Sequence, residues 1–210
     1  MTGKTHMAVG IGTATLLLNT NNIKIITGGT ILALFGSILV DIDCNKSKGS
    51  QLVKELLVGV IIITLLGLFL QLKLNINVLA YITVNKTINQ MAPALLLLTA
   101  MLILGKLSSH RGFTHSLIGI IAYTVPVYML VGSLYSWFLI GYAAHILADM
   151  LTKEKVRILY PLDNHGEYGI CFKLCKTNGL VDKLLFFVFL FISAINYIGA
   201  IQANLHNVIK

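Results

Sequence analysis

The sequence predicts an all-α integral membrane protein. Six to seven hydrophobic helices form one bundle, a single domain over residues 1–210, with a polar site at one membrane face. Three observations carry this reading. Of the 210 residues, 56% are hydrophobic and 11% charged, against about 25% charged in an ordinary soluble domain. Mean hydropathy is +0.83. The polar residues sit at the ends of apolar segments rather than along amphipathic faces, which argues against a water-soluble helical core.

The segments follow in order. The first runs from Thr5 to Leu18 and the second from Ile23 to Val40, separated by the turn-forming "NTNN". The first is short for a bilayer, which takes about 20 residues. Lys4 ahead of it imitates a secretory signal, but no small-residue cleavage site follows, so the segment is expected to be retained. "DIDCNKSKGS" closes the second segment; the third is Leu52–Leu72. "VNKTINQ" leads to the fourth, Met91–Leu107, where Pro93 suits a first helical turn. The fifth is Ser116–Val131 and the sixth Leu134–Leu151, with Gly132-Ser133 as a tight hairpin between them. Residues 152–182 form the long polar loop, a candidate lid, and Leu184–Ile201 is the seventh segment. No internal repeat and no low-complexity linker interrupts the chain.

If each segment crosses, twelve of the sixteen Lys and Arg residues fall on one side of the membrane. The Lys/Arg bias makes that side cytoplasmic. All eight acidic residues and five of the six histidines fall there too. A formal charge of +8 would suggest nucleic acid in a soluble protein. Here the cations flank apolar segments, so the membrane and its anionic lipids account for them and no nucleic acid is expected. Cys44, Cys171 and Cys175 cannot all pair, and the C-x3-C spacing of the last two matches neither zinc-ribbon nor redox motifs. They are expected to be free thiols on a reducing side.

Four polar clusters end up at one level of that side. His6 opens the first segment, and Asp41 and Asp43 close the second. His110, Arg111 and His115 open the fifth; His145 and Asp149 close the sixth. His145 and Asp149 are four residues apart and share a helix face. Two carboxylates at a helix C-terminus oppose the helix dipole and call for a positive partner, either a cation or Lys46 or Arg111. Gly112 permits a tight backbone in "HRGFTH", and Thr114 is a candidate cap for the helix after it. Ionisable groups near a bilayer interior are expensive and mark function. Mixed His and Asp donors suit zinc, and also manganese or iron(II). The fork of Arg111 matches a phosphate oxygen pair.

These same stretches, "DID", "HRGFTHS" and "GYAAHILADMLT" followed by "YP", resemble the membrane-bound, metal-dependent hydrolase family described as YdjM-like, some members of which are SOS-regulated. The "TH" at His6 fits that pattern, and the motifs span His6 to Pro161. The resemblance implies an all-helical inner-membrane protein with hydrolase activity, and a metal set of His6, Asp41, Asp43, His110, His115, His145 and Asp149. Many relatives have His-Pro after "DID" where this chain has Cys44-Asn45, so Cys44 either replaces a ligand or leaves one missing.

The expected chemistry is hydrolysis of a phosphoester in a lipid or lipid-linked substrate, with one or two divalent ions activating water. Arg111, with Lys106 or Lys153, would stabilise phosphoryl charge, and Asp43 or Asp149 would take the proton. Asp163, His165 and Glu167 are candidate substrate contacts in the lid. Two rivals stand beside this reading: a polytopic transporter, and a non-catalytic scaffold locked by its metal. The lack of repeats and the position of polar groups at segment ends weigh against the transporter.

Overall fold

The computed structural model describes residues 1–44, 47, 50, 51, 54, 55, 58, 59, 86–162 and 168–209. Almost all of the third apolar segment, Leu52–Leu72, lies outside them, as do Asp163, His165 and Glu167. The described residues form six α-helices: α1 Gly3–Leu17, α2 Ile23–Leu39, α3 Lys86–Leu107, α4 Leu117–Val131, α5 Tyr135–Met150 and α6 Leu180–Ile209. Among them the single strand-like feature is an isolated bridge between Val156 and Ile170. The protein is all-α, as composition and segment pattern predict.

Local chemistry sets the boundaries. Thr2 caps α1, its hydroxyl accepting from the Thr5 N–H. Asn22 caps α2, its side-chain oxygen accepting from the N–H groups of Lys24 and Ile25 at 3.0 and 3.3 Å. Ser116, rather than Thr114, caps α4, accepting from the Gly119 N–H at 3.1 Å. Helix α3 begins five residues before Met91, so Pro93 lies inside it instead of in its first turn. Gly132 has φ 59°, a left-handed conformation natural to glycine, and turns α4 back into α5. Tyr128 and Tyr135 meet edge to face across that hairpin, 5.2 Å between centroids.

Among the described residues, three stretches are long and apolar enough to cross a membrane: Ile23–Asp43, Leu117–Met150 and Leu180–Leu205. The second is 34 residues long but folds back at Gly132. Its arms, 15 and 16 residues, each rise about 22–24 Å.

Helix α2 lies against α5 with almost no space between the backbones. A Cβ on Gly141 would sit 2.1 Å from the Ala33 carbonyl oxygen, and one on Gly36 would sit 2.4 Å from that of Phe138. Val40, Ile42, Tyr123, Phe138 and Tyr142 fill the core between α2, α4 and α5. Tyr142 donates to the Thr114 carbonyl at 2.6 Å, tying α5 to the start of α4. Helix α6 packs on α1, and its other face carries exposed apolar side chains, including Phe187 and Phe191. The described part of the polar loop is bonded to the end of α5. Phe172, Lys173 and Cys175 donate backbone N–H groups to the carbonyls of Met150, Thr152 and Leu151.

Candidate metal centre

The start of α1, the end of α2, the residues preceding α4 and the end of α5 meet at one end of the bundle. Helix α2 closes in a 3-10 turn, Val40–Asp43, where Asp41 leaves helical geometry (φ −84°, ψ 15°). The two carboxylates therefore find different partners. A second 3-10 turn, Phe113–His115, presents His115. The left-handed residue in this loop is Arg111 (φ 58°), not Gly112. A Cβ on Gly112 would meet Ser109 Oγ at 2.7 Å, so the glycine allows close packing instead.

Asp41, His115, His145 and Asp149 each bring one donor atom into a group lying within 4.8 Å of one another. His115 Nε2 is 3.7 Å from Asp41 Oδ1 and 3.3 Å from Asp149 Oδ2. His145 Nε2 is 3.6 Å from Asp41 Oδ1 and 3.8 Å from Asp149 Oδ2. Both Nε2 atoms are buried without a hydrogen-bond partner among the described residues. A buried polar atom left so is costly unless something else satisfies it.

The far nitrogens explain why these two face inward. His145 Nδ1 is 2.6 Å from the Ser37 carbonyl, which can only accept, so Nδ1 carries the proton and Nε2 keeps its lone pair. Thr114 donates its hydroxyl to Asp43 Oδ2 at 2.9 Å, leaving its oxygen to accept from His115 Nδ1 at 3.0 Å. Asp43 Oδ2 is itself 3.4 Å from His115 Nδ1. Fixing the tautomer of a ligating imidazole in this way is a recurrent feature of metal sites.

Asp43 stands behind His115 rather than in the group of four. Its carboxylate also accepts from the Arg111 N–H at 2.9 Å and lies 3.0 Å from His110 Nδ1. That bond to Asp43 holds the half-exposed His110 above its ordinary pKa. Complete burial pushes His115 down, but Asp149 and Asp43 outweigh it and raise its pKa to about 9. Without a cation, a proton serves as the positive charge these carboxylates require.

His6 flanks the group. Its Nε2 is 3.2 Å from Asp149 Oδ1, and its ring stacks on that of His145 with centroids 3.8 Å apart. Arg111 approaches Asp149 too, NH2 to Oδ2 at 3.3 Å, and NH1 donates to the Glu154 carbonyl at 2.9 Å. Its side chain is thus engaged with protein acceptors. Lys106 donates to Ser50 Oγ, and Lys153 is exposed. Cys44 is half-buried and outside the group of four. The sequence reading missed Ser37 and treated Thr114 only as a cap. Ser37 acts through a backbone carbonyl that carries no residue signature.

A cavity of about 860 Å³ opens beside the cluster, lined by His6, Asp41 and His145 and also by Ile38, Phe186 and Phe187. Four nitrogen and oxygen donors with no thiolate suit a single zinc, manganese or iron(II) ion.

A family model described as YdjM inner membrane protein matches residues 1–207. The chain belongs to the YdjM inner membrane protein family. Two curated relatives, each described as inner membrane protein YdjM, come from Escherichia coli (strain K12) and Shigella flexneri. Each is 43% identical over 61 residues, covering 25% of this chain and 30% of the relative. The match spans less than a third of those relatives' length. Their names place them in an inner membrane and state no reaction. No solved structure matches the chain.

Proposed function

We propose that this YdjM-family protein is a multi-pass membrane hydrolase. It uses a divalent cation to cleave a phosphoester of a lipid or lipid-linked substrate on the cytoplasmic side. One observation carries the reading: two buried, unpartnered imidazole nitrogens facing two carboxylate oxygens from separate helices. The Lys/Arg bias supports the side.

Asp41, His115, His145 and Asp149 would hold the ion. When bound, the cation supplies Lewis acidity, polarising a phosphoryl oxygen and lowering the pKa of water to about 7. Ser37 and Thr114–Asp43 keep the two imidazoles in the ligating tautomer. Arg111 steadies Asp149 and offsets its charge. Water adds to phosphorus, the ester P–O bond breaks, and the alcohol leaves with a proton. Asp149 Oδ1 lies beside His6 Nε2, a short path for the proton that water gives up. Asp43 is less suited to that task, because four neighbours already occupy its oxygens.

The test is phosphate release from phosphatidate by purified protein in zinc or manganese. The expected result is turnover that a chelator abolishes and fresh cation restores. His145→Ala and Asp149→Asn should lose turnover while still inserting into membranes. Stoichiometric cation without turnover on a broad panel of lipid phosphates would favour a metal-locked scaffold. No bound cation at all would remove both readings.

A further inference from the structure

The large cavity borders the cluster through His6, Asp41 and His145. Phe187 lines it and also lines a second, shallow groove of about 540 Å³ with Val188, Leu190, Phe191 and Ala194. Phe187, Phe191 and Ala194 follow a spacing of four and three residues, so they form one stripe along α6. The groove is almost wholly apolar and lies among exposed residues of α6; Phe191 is 67% exposed. The large cavity, by contrast, carries polar groups. His145 Nε2 and His6 Nδ1 are buried, unpartnered and belong to residues lining the cavity. Exposed Lys4 and Lys183 line it as well, and neither ammonium has a partner among the described residues. The nearby Asp182 carboxylate is taken up by the N–H groups of Thr2 and Asn178.

We infer that the cavity and the groove that share Phe187 are together the binding track for one amphiphile. Its phosphate head lies between the histidine–aspartate cluster and Lys4 and Lys183, and its acyl or prenyl chain lies along the Phe187–Phe191–Ala194 stripe. The inference rests on the proposed hydrolase reading for the purpose of the head and adds to it where the chain of the substrate lies. Charge complementarity selects the head, because two unpaired ammonium groups beside a cation-binding cluster attract a multivalent anion. The shared lining residue Phe187 selects the chain: a tail attached to a head in the large cavity meets the apolar groove on the far side of that ring. A volume of about 860 Å³ sits at the upper end of the range of about 300–1,000 Å³ usual for ligand pockets.

The experiment uses full-length protein in nanodiscs of neutral lipid with zinc present. Two photoreactive probes carry a diazirine on the same acyl chain, one headed by phosphate and one by phosphocholine. Labelled peptides are mapped by mass spectrometry. The phosphate-headed probe should label residues 187–194 about tenfold more than the choline-headed one. Lys4→Ala with Lys183→Ala should remove that preference. Ala194→Trp, which fills the groove from its exposed side and leaves the core intact, should cut labelling of the stripe about tenfold. Equal labelling by both probes, or a preference unmoved by Ala194→Trp, would overturn the inference. Preferential labelling without phosphate release keeps the track and removes the hydrolase. Phosphate release from glycerol phosphate as fast as from phosphatidate, without preferential labelling, keeps the hydrolase and removes the track.

Discussion

Asp43→Asn is the most informative single substitution, because it nearly preserves shape and removes only charge. Asp43 receives four contacts: the Arg111 N–H at 2.9 Å, the Thr114 hydroxyl at 2.9 Å, His110 Nδ1 at 3.0 Å and His115 Nδ1 at 3.4 Å. An asparagine can keep its oxygen on Arg111 and Thr114. Its amide then faces His110, which can accept only after losing its proton. His115 keeps its hydroxyl partner and loses the negative charge that drew its Nδ1–H. Bonds to charged groups contribute about 1.5–3 kcal/mol and neutral ones about 0.5–1.5, so the fold should lose on the order of 1–2 kcal/mol. Altering a group that orients a ligating histidine lowers metal affinity about 10–100-fold. Competition with a chromophoric chelator for zinc measures this directly, and far-UV circular dichroism confirms that the helices persist. Wild-type affinity in a folded Asp43→Asn protein would refute the argument that Asp43 sets His115.

Other outcomes follow from the same geometry. Cation binding must displace the His115 proton, so affinity should rise about tenfold per pH unit up to about pH 9 and then level off; calorimetry in buffers of differing ionisation enthalpy counts that proton. In the cation-free protein the raised pKa of His115 contributes stability that is complete below about pH 6.5 and lost as pH rises through about 9. Thermal unfolding should therefore shift downward over that window without cation, and much less with it. Gly141→Ala drives a methyl into the Ala33 backbone and should cost about 1–3 kcal/mol, with weakened cation binding as α2 moves off α5. Cys44→Ser should leave zinc affinity unchanged, because Cys44 lies outside the four-residue group.

The sequence revealed the elements and the meeting point more readily than the roles. Long apolar runs and turn residues such as Asn22 and Gly132 mark α2, α4 and α5 to within a residue or two. Helical spacing alone puts His145 and Asp149 on one face, and alternating crossings of the apolar segments put Asp41 and His115 on the same side as that pair. What pattern could not reveal depends on backbone detail. Asp41 and Asp43 look equivalent in "DID", yet a 3-10 turn sends Asp41 to the shared centre and Asp43 behind His115. "HRGFTHS" suggests Thr114 as the cap, yet Ser116 takes that role and frees the threonine for Asp43. Arg111 looks like an open phosphate clamp until its chain conformation turns it toward Asp149 and Glu154. His6 carries no local motif from the residues alone, and the stacking against His145 needs α1 packed on α5.

The central claim is that Asp41, His115, His145 and Asp149 share one cation. Metal content by mass spectrometry of the purified protein, after equilibration with zinc and removal of excess, tests it most directly. One ion per chain is expected in the wild type and almost none in His115→Ala or His145→Ala proteins that remain helical. A wild type without stoichiometric metal, or variants that hold it as well as the wild type, would contradict it.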